Sequence, residues 1–287
     1  MIRFGPGGNC EWFKEAGNKT TDQMPAFLKE IGLSAYEVEC GRGVRMNAAV
    51  AKNLRTEAAR CGIALSVHAP YYISMSSLEE EKRNNSVQYL LESAVLARKI
   101  GADRVIFHPG SCAKISRGEA LSLAVKTLKT ARSAYDAEGF SEIVLCPETM
   151  GKINQLGSLE EVIALCETDE RVLPAIDFGH LNAREQGLFY KESDYDSVLE
   201  RVEDCLGAYR AAHFHAHFSK IAYTAGGEKC HLTFEDTVYG PDFAPLAAVL
   251  AKRGSEPVII CESAGTQSRD ALTMKNLFDQ AEKCANL

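Results

Sequence analysis

Eight short apolar, β-prone runs recur along the chain, at residues 3–5, 35–39, 64–68, 104–108, 143–148, 172–177, 212–217 and 257–262. Each is followed by a longer stretch with the apolar spacing of an amphipathic helix. These stretches cover 21–31, 47–61, 79–100, 116–138, 158–166, 194–206, 243–253 and 270–284. Several open on helix-capping side chains: Asn47, Ser116 and Ser158, the last completing a capping box with Glu161. Gly32, Gly62, Gly101 and Gly254 fall where four of the helical stretches should stop. Strict alternation of eight strand–helix units predicts an α/β fold, a single (β/α)8 TIM barrel with parallel strands. No linker, low-complexity segment or charge block interrupts it, so residues 1–287 are expected to form one barrel domain.

Composition leaves this picture intact. Hydrophobic residues at 46% and charged residues at 25% are ordinary for a globular chain with a large core. The apolar runs are too short for a membrane span, and the opening Met-Ile-Arg-Phe-Gly-Pro lacks the order of a signal peptide. A cytoplasmic protein with no membrane partner is therefore expected. Ten cysteines raise the question of disulfides or a zinc ribbon. Their spacing, never closer than about twenty positions, provides no Cys-x-x-Cys pair. Cys146 and Cys261 sit inside apolar runs, as reduced, buried thiols do. The net charge of −7 does not point to nucleic acid, although a local basic rim can act on an acidic body.

The C-terminal ends of the predicted strands change the picture. Runs three to six end in His68, His108, Glu148 and Asp177; run seven carries His213, His215 and His217; run eight ends in Glu262. In a barrel these ends form the rim where the βα loops converge and active sites lie. A single rim His or Glu is commonly just hydrogen-bonded to a neighbouring loop. Six consecutive strands ending this way would crowd carboxylates in a low-dielectric mouth, and cations relieve that repulsion. Imidazole with carboxylate, and no thiolate pair, favours zinc or manganese over calcium. The three histidines of run seven are spaced two apart and so share one face. Spread over about 13 Å at ~3.3 Å per residue, they cannot all reach one ion. One is expected as a ligand and another as its hydrogen-bonding neighbour.

The pieces that carry these residues are His68-Ala-Pro-Tyr71, His108-Pro-Gly-Ser111, Pro147-Glu-Thr149, Asp177-Phe-Gly-His180, His215-Ala-His-Phe-Ser-Lys220 and Glu262-Ser263. In order and interval they resemble the endonuclease IV family of apurinic/apyrimidinic endonucleases, within the xylose-isomerase-like barrel superfamily. The resemblance implies a zinc-dependent hydrolase of base excision DNA repair, cleaving damaged DNA 5′ to abasic sites. It implies two or three zinc ions, with manganese possible, and no protein partner. Carried over, it makes His68, His108 and Glu148 ligands of a first ion, with Glu148 bridging and catalytic. Asp177, His215 and Glu262 would complete a second site. A third would take His180 and two residues of the loop after strand seven. There the chain departs from the family's Asp-x-His and reads Gly227-Glu-Lys-Cys-His231, which offers His231 with either Glu228 or Cys230. An abasic nucleotide leaves the stack cheaply, so a tight pocket can select it.

Substrate contacts are open at this point. Tyr71 either wedges against a base or packs its loop. Arg42 and Arg45 either meet phosphates or stand in solvent. Lys220 either neutralises a phosphate or pairs with a neighbouring carboxylate. A competing expectation is a sugar isomerase or epimerase on the same barrel, which needs one divalent ion on Glu148, Asp177, His215 and Glu262. Those four residues do not discriminate. His68, His108, His180 and His231 do, because a one-ion isomerase does not need them together as ligands. A barrel that only binds a metabolite fits worst, since buried carboxylates without a cation are costly.

Overall fold

The computed structural model describes residues 1–112 and 114–285. Seven parallel strands come first: β1 (Arg3–Pro6), β2 (Ala35–Glu39), β3 (Ala64–His68), β4 (Arg104–Phe107), β5 (Val144–Pro147), β6 (Ala175–Asp177) and β7 (His215–Phe218). An antiparallel hairpin follows, β8 (Ile221–Thr224) and β9 (Gly227–His231), before the last parallel strand, β10 (Val258–Cys261). Pairing runs β1-β10-β7-β6 on one side and β2-β3-β4-β5 on the other. Bridges from Gly7 to Glu37, and from Leu145 to Val172 and Glu148 to Ala175, join the two halves into a (β/α)8 barrel. Close approach at the first seam requires glycine: a Cβ on Gly5 would fall 1.7 Å from the Ala35 carbonyl oxygen.

Strand parity divides the chemistry. Tyr36 and Val38 of β2, Leu65 and Val67 of β3, and Ala216 and Phe218 of β7 face the main apolar core. The opposite parity points into the barrel, where Ile106, Cys146, Leu173 and Ala175 form a small apolar cluster of their own. Two residues further along these strands stand His108, Glu148 and Asp177, so this cluster underlies the polar mouth.

The helices start where their caps predict. Asn47 accepts from Ala49 N at 2.8 Å, Ser116 from Glu119 N, and Ser158 forms its capping box with Glu161. All ten cysteines are free thiols. Among the described residues no helix is long and apolar enough to cross a membrane.

The seventh strand departs from expectation. Residues Ala208–His213 form a short helix, because Ala-Tyr-Arg-Ala-Ala-His has good helix formers and follows Gly207. His213 ends that helix, its ring stacked on Tyr209 and its Nδ1 2.8 Å from the Tyr209 carbonyl oxygen. Only His215 and His217 therefore share the inward face of β7. A further helix absent from the predicted pattern, Phe178–Arg184, is capped by Asp177 Oδ1 on His180 N at 2.7 Å. It turns the chain sharply at the rim and swings His180 back over the barrel mouth.

Candidate metal centre

Of the seven histidines in the chain, all but His213 gather in the barrel. Several groups at its mouth have ligand atoms close enough to hold an ion, among them His68, His108 and Glu148; Glu148, Asp177, His217 and Glu262; and His180, Glu228 and His231. Glu148, 1% exposed, links the first two. Its Oε2 lies 3.1 Å from His68 Nε2 and 3.2 Å from His108 Nε2. Its Oε1 lies 3.0 Å from His217 Nδ1 and 3.3 Å from His180 Nδ1. His180 leads on to the third group, with Nε2 3.4 Å from Glu228 Oε2.

Backbone and hydroxyl partners aim several rings. The Ala69 carbonyl oxygen accepts a hydrogen bond from His68 Nδ1 at 2.9 Å, which turns Nε2 toward Glu148. His180 Nδ1 is held likewise by the Thr149 carbonyl oxygen at 3.0 Å, and His231 Nδ1 by Ser219 Oγ at 2.8 Å. Gly151 makes room for the third group. A Cβ there would come within 2.6 Å of Glu228 Cβ and 3.0 Å of the His180 ring.

Electrostatics show what the mouth needs. Burial pushes Glu148 upward, but the imidazoles of His217, His108 and His180 hold it well below the usual carboxylate range. Burial would lower His68, yet Glu39 and Glu148 lift it to about 10. His217 and His180 are driven well above the ordinary value in the same way, chiefly by Glu262 and Asp177 respectively once burial is overcome. Burial raises Glu262 to about 7 against the pull of His217 and His231. Imidazole-bound protons thus balance the carboxylates, in positions where divalent cations would do so. Asp177 Oδ2 is buried and accepts no hydrogen bond, although His180 Nδ1 stands 3.2 Å away. An orphaned carboxylate oxygen among imidazole and carboxylate donors fits a zinc- or manganese-type ion.

One sequence expectation changes, and two choices that the sequence leaves open take a definite form. His217, not His215, stands with Glu148, Asp177 and Glu262; His215 lies two residues deeper in β7 and meets Glu37 instead. In the third group Glu228 accompanies His231, while Cys230 is exposed and outside it. Lys220 faces away from the cavity, pairing with Asp242 at 3.0 Å and donating to the Asp236 carbonyl oxygen at 2.7 Å. Lys152 is the lysine that lines the cavity. Arg42 and Arg45 are exposed on the loop after β2, beside the Tyr71–Tyr72 pair, and do not line the cavity wall. Tyr71, 59% exposed, does line it. The cavity encloses about 330 Å³.

Glu37, buried within β2, and Glu39, at its C-terminal end, are residues near the site that the sequence reading does not single out. Their signal lies in Ala-Tyr-Glu-Val-Glu: two acids of one parity inside an apolar strand can only point into a barrel.

The family model for the xylose isomerase-like TIM barrel matches residues 25–278. An uncharacterized protein of Methanocaldococcus jannaschii is 31% identical over 248 residues, 86% of this chain and 88% of that one. A probable endonuclease 4 of Aquifex aeolicus is 29% identical over 167 residues, 57% of each chain. The match thus spans little more than half of that relative. Endonuclease IV from Thermus thermophilus superposes with a TM-score of 0.69 at 20% identity, covering 97% of this chain and 100% of that one. A D-tagatose 3-epimerase-like protein superposes with a TM-score of 0.71 at 18% identity, covering 99% and 98%. Likeness at such identities speaks for the shared barrel.

Proposed function

The chain belongs to the xylose isomerase-like TIM barrel family, and on that premise we propose that it is a multinuclear metal-dependent phosphodiesterase of the endonuclease IV kind. Its substrate in this reading is DNA, cut on the 5′ side of an abasic site. One observation carries the reading: the third group, His180, Glu228 and His231, adjoins the two groups that share Glu148. A one-ion epimerase has use for Glu148, Asp177, His217 and Glu262 alone. It leaves the remaining histidines without a shared purpose.

In this proposal His68, His108 and Glu148 hold one ion, Glu148, Asp177, His217 and Glu262 a second, and His180, Glu228 and His231 a third. Bound there, divalent ions supply Lewis-acid activation of water and neutralise the phosphodiester's charge. The protein's own part is positioning. Glu148 offers one carboxylate oxygen to each of the first two groups and so fixes their separation. The carbonyl oxygens of Ala69 and Thr149 hold His68 and His180 in one tautomer. Lys152 brings a cation to the wall on which a phosphate would lie. Tyr71 presents an open aromatic face at the mouth, suited to the gap left where a base is missing.

The test is a duplex with one abasic analogue, incubated with the zinc-loaded protein. A single nick 5′ to the lesion, leaving a 3′-hydroxyl, is expected. An intact duplex, together with interconversion of ketoses by the same preparation, would instead establish the epimerase reading.

A further inference from the structure

Below the candidate metal ligands, inside the barrel, lies a second polar layer that no ligand set of the proposed reaction uses. Glu37 and His215 are 0% exposed and Ser66 is 2% exposed. Glu37 Oε2 accepts from Ser66 Oγ at 2.7 Å and lies 3.1 Å from His215 Nε2. Glu37 Oε1 lies 2.8 Å from His217 Nε2. Among the described residues its ion pairs are with His215 and His217 alone. Arg104, the cation on the neighbouring strand face, is paired with Asp103.

We propose that Glu37 is the positioning residue of the metal centre, fixing His217 with its proton on Nε2 and its Nδ1 lone pair turned to the ions. The inference rests on the metal-centre reading above. Hydrogen-bond arithmetic supports it. An ionised carboxylate only accepts, so Ser66, His215 and His217 must all donate to Glu37. His215 Nε2 and His217 Nε2 are 3.2 Å apart, and two N–H groups cannot bond each other. Both hydrogens therefore point at the carboxylate between them. With Nε2 committed downward, His217 has only Nδ1 for the mouth, where it lies 3.0 Å from Glu148 Oε1 and 3.7 Å from Glu262 Oε1. His215, protonated on Nε2, keeps a bare Nδ1, which matches its buried, unpartnered state. An unpaired acceptor is tolerated there more readily than an unpaired N–H.

Two consequences follow for the ions. Negative charge on Glu37 raises the basicity of the His217 ring, the effect of a carboxylate behind a ligating histidine. Glu37 makes no ion pair with Lys or Arg among the described residues, although Arg104 acts on it at longer range, and its contact with His217 favours positive charge at the mouth. Losing such a partner typically costs about 10–100-fold in metal affinity.

The experiment uses protein labelled with 15N-histidine and loaded with 113Cd, with His217→Gln to assign the resonances. In the wild type, cadmium coupling is expected on His217 Nδ1 and a bonded proton on Nε2. Glu37→Gln should abolish that low-field proton and weaken the ion at this group by about 10–100-fold in chelator competition. Coupling through His217 Nε2 would overturn the inference, since Glu37, His215 and His217 would then themselves clasp an ion. Unchanged affinity in folded Glu37→Gln would overturn it too. A wild type that takes up no ion at all would instead defeat the metal-centre reading on which it rests.

Discussion

Glu148→Gln is expected to reduce kcat/KM on an abasic duplex by at least about a thousandfold, ~4 kcal/mol of transition-state stabilisation. Glutamine matches the shape of Glu148 but turns one carboxylate oxygen into an NH2 group. An NH2 group cannot be a ligand, and at this position it would point at either the His68/His108 pair or the His217/His180 pair. One group loses its anionic oxygen, and the shared negative charge disappears from both. The chain should stay folded. Glu39 still faces His68, and Glu262 and Glu37 still face His217, so these rings keep a carboxylate partner. Steady-state cleavage with far-UV circular dichroism checks both parts. Activity within tenfold of wild type would remove Glu148 from the reaction.

The second large effect separates two histidines that sequence alone does not. Glutamine reproduces the Nε2 position of histidine and deletes Nδ1. His217→Gln therefore keeps the donor to Glu37 and removes the nitrogen that faces Glu148 and Glu262. A loss of one bound ion and at least about a hundredfold in activity is expected, because ligand removal exceeds the 10–100-fold typical of an outer partner. His215→Gln keeps its donor to Glu37 and loses only the unpartnered Nδ1. It should retain the full complement of ions and cleave within about tenfold of wild type, at the low end of outer-partner effects. The opposite ranking, by metal analysis and cleavage rate, would restore His215 to the ligand set.

That exchange marks the boundary of what the sequence discloses. Residues that end strands are legible: His68, His108, Glu148, Asp177 and Glu262 each follow an apolar run, and parity with the barrel rule sends them to one rim. Register is not. His215 and His217 share a face, so parity cannot choose between them, and the family resemblance selects the deeper one. Depth along the strand decides: the predicted run 212–217 already ends in His217, and β7, starting at His215, keeps His217 nearer the mouth. Lys220 takes the second of the two readings the sequence leaves open, pairing with Asp242. Once the chain leaves the strand it enters the β8–β9 hairpin, where sequence distance from a ligand says nothing about direction. The hairpin also determines the third group. Pairing of Ile221 with His231 and a bulge after Ala222 send Glu228 and His231 toward His180 and leave Cys230 outside. Glu37 and Glu39 are within reach of sequence reasoning. Their parity is plain: Glu39 ends the run, and Glu37 lies two residues deeper on the same face.

The number of ions held by the protein tests the central claim most directly. Elemental analysis of protein reconstituted with excess zinc and then dialysed should find more than one equivalent per chain, rising toward three if the His180, Glu228 and His231 group fills. Glu228→Ala should then lower the count by about one, since that group would keep only two ligands where zinc takes at least three from protein. A count that stays at one, unchanged by Glu228→Ala, would contradict a multinuclear centre and with it the phosphodiesterase account.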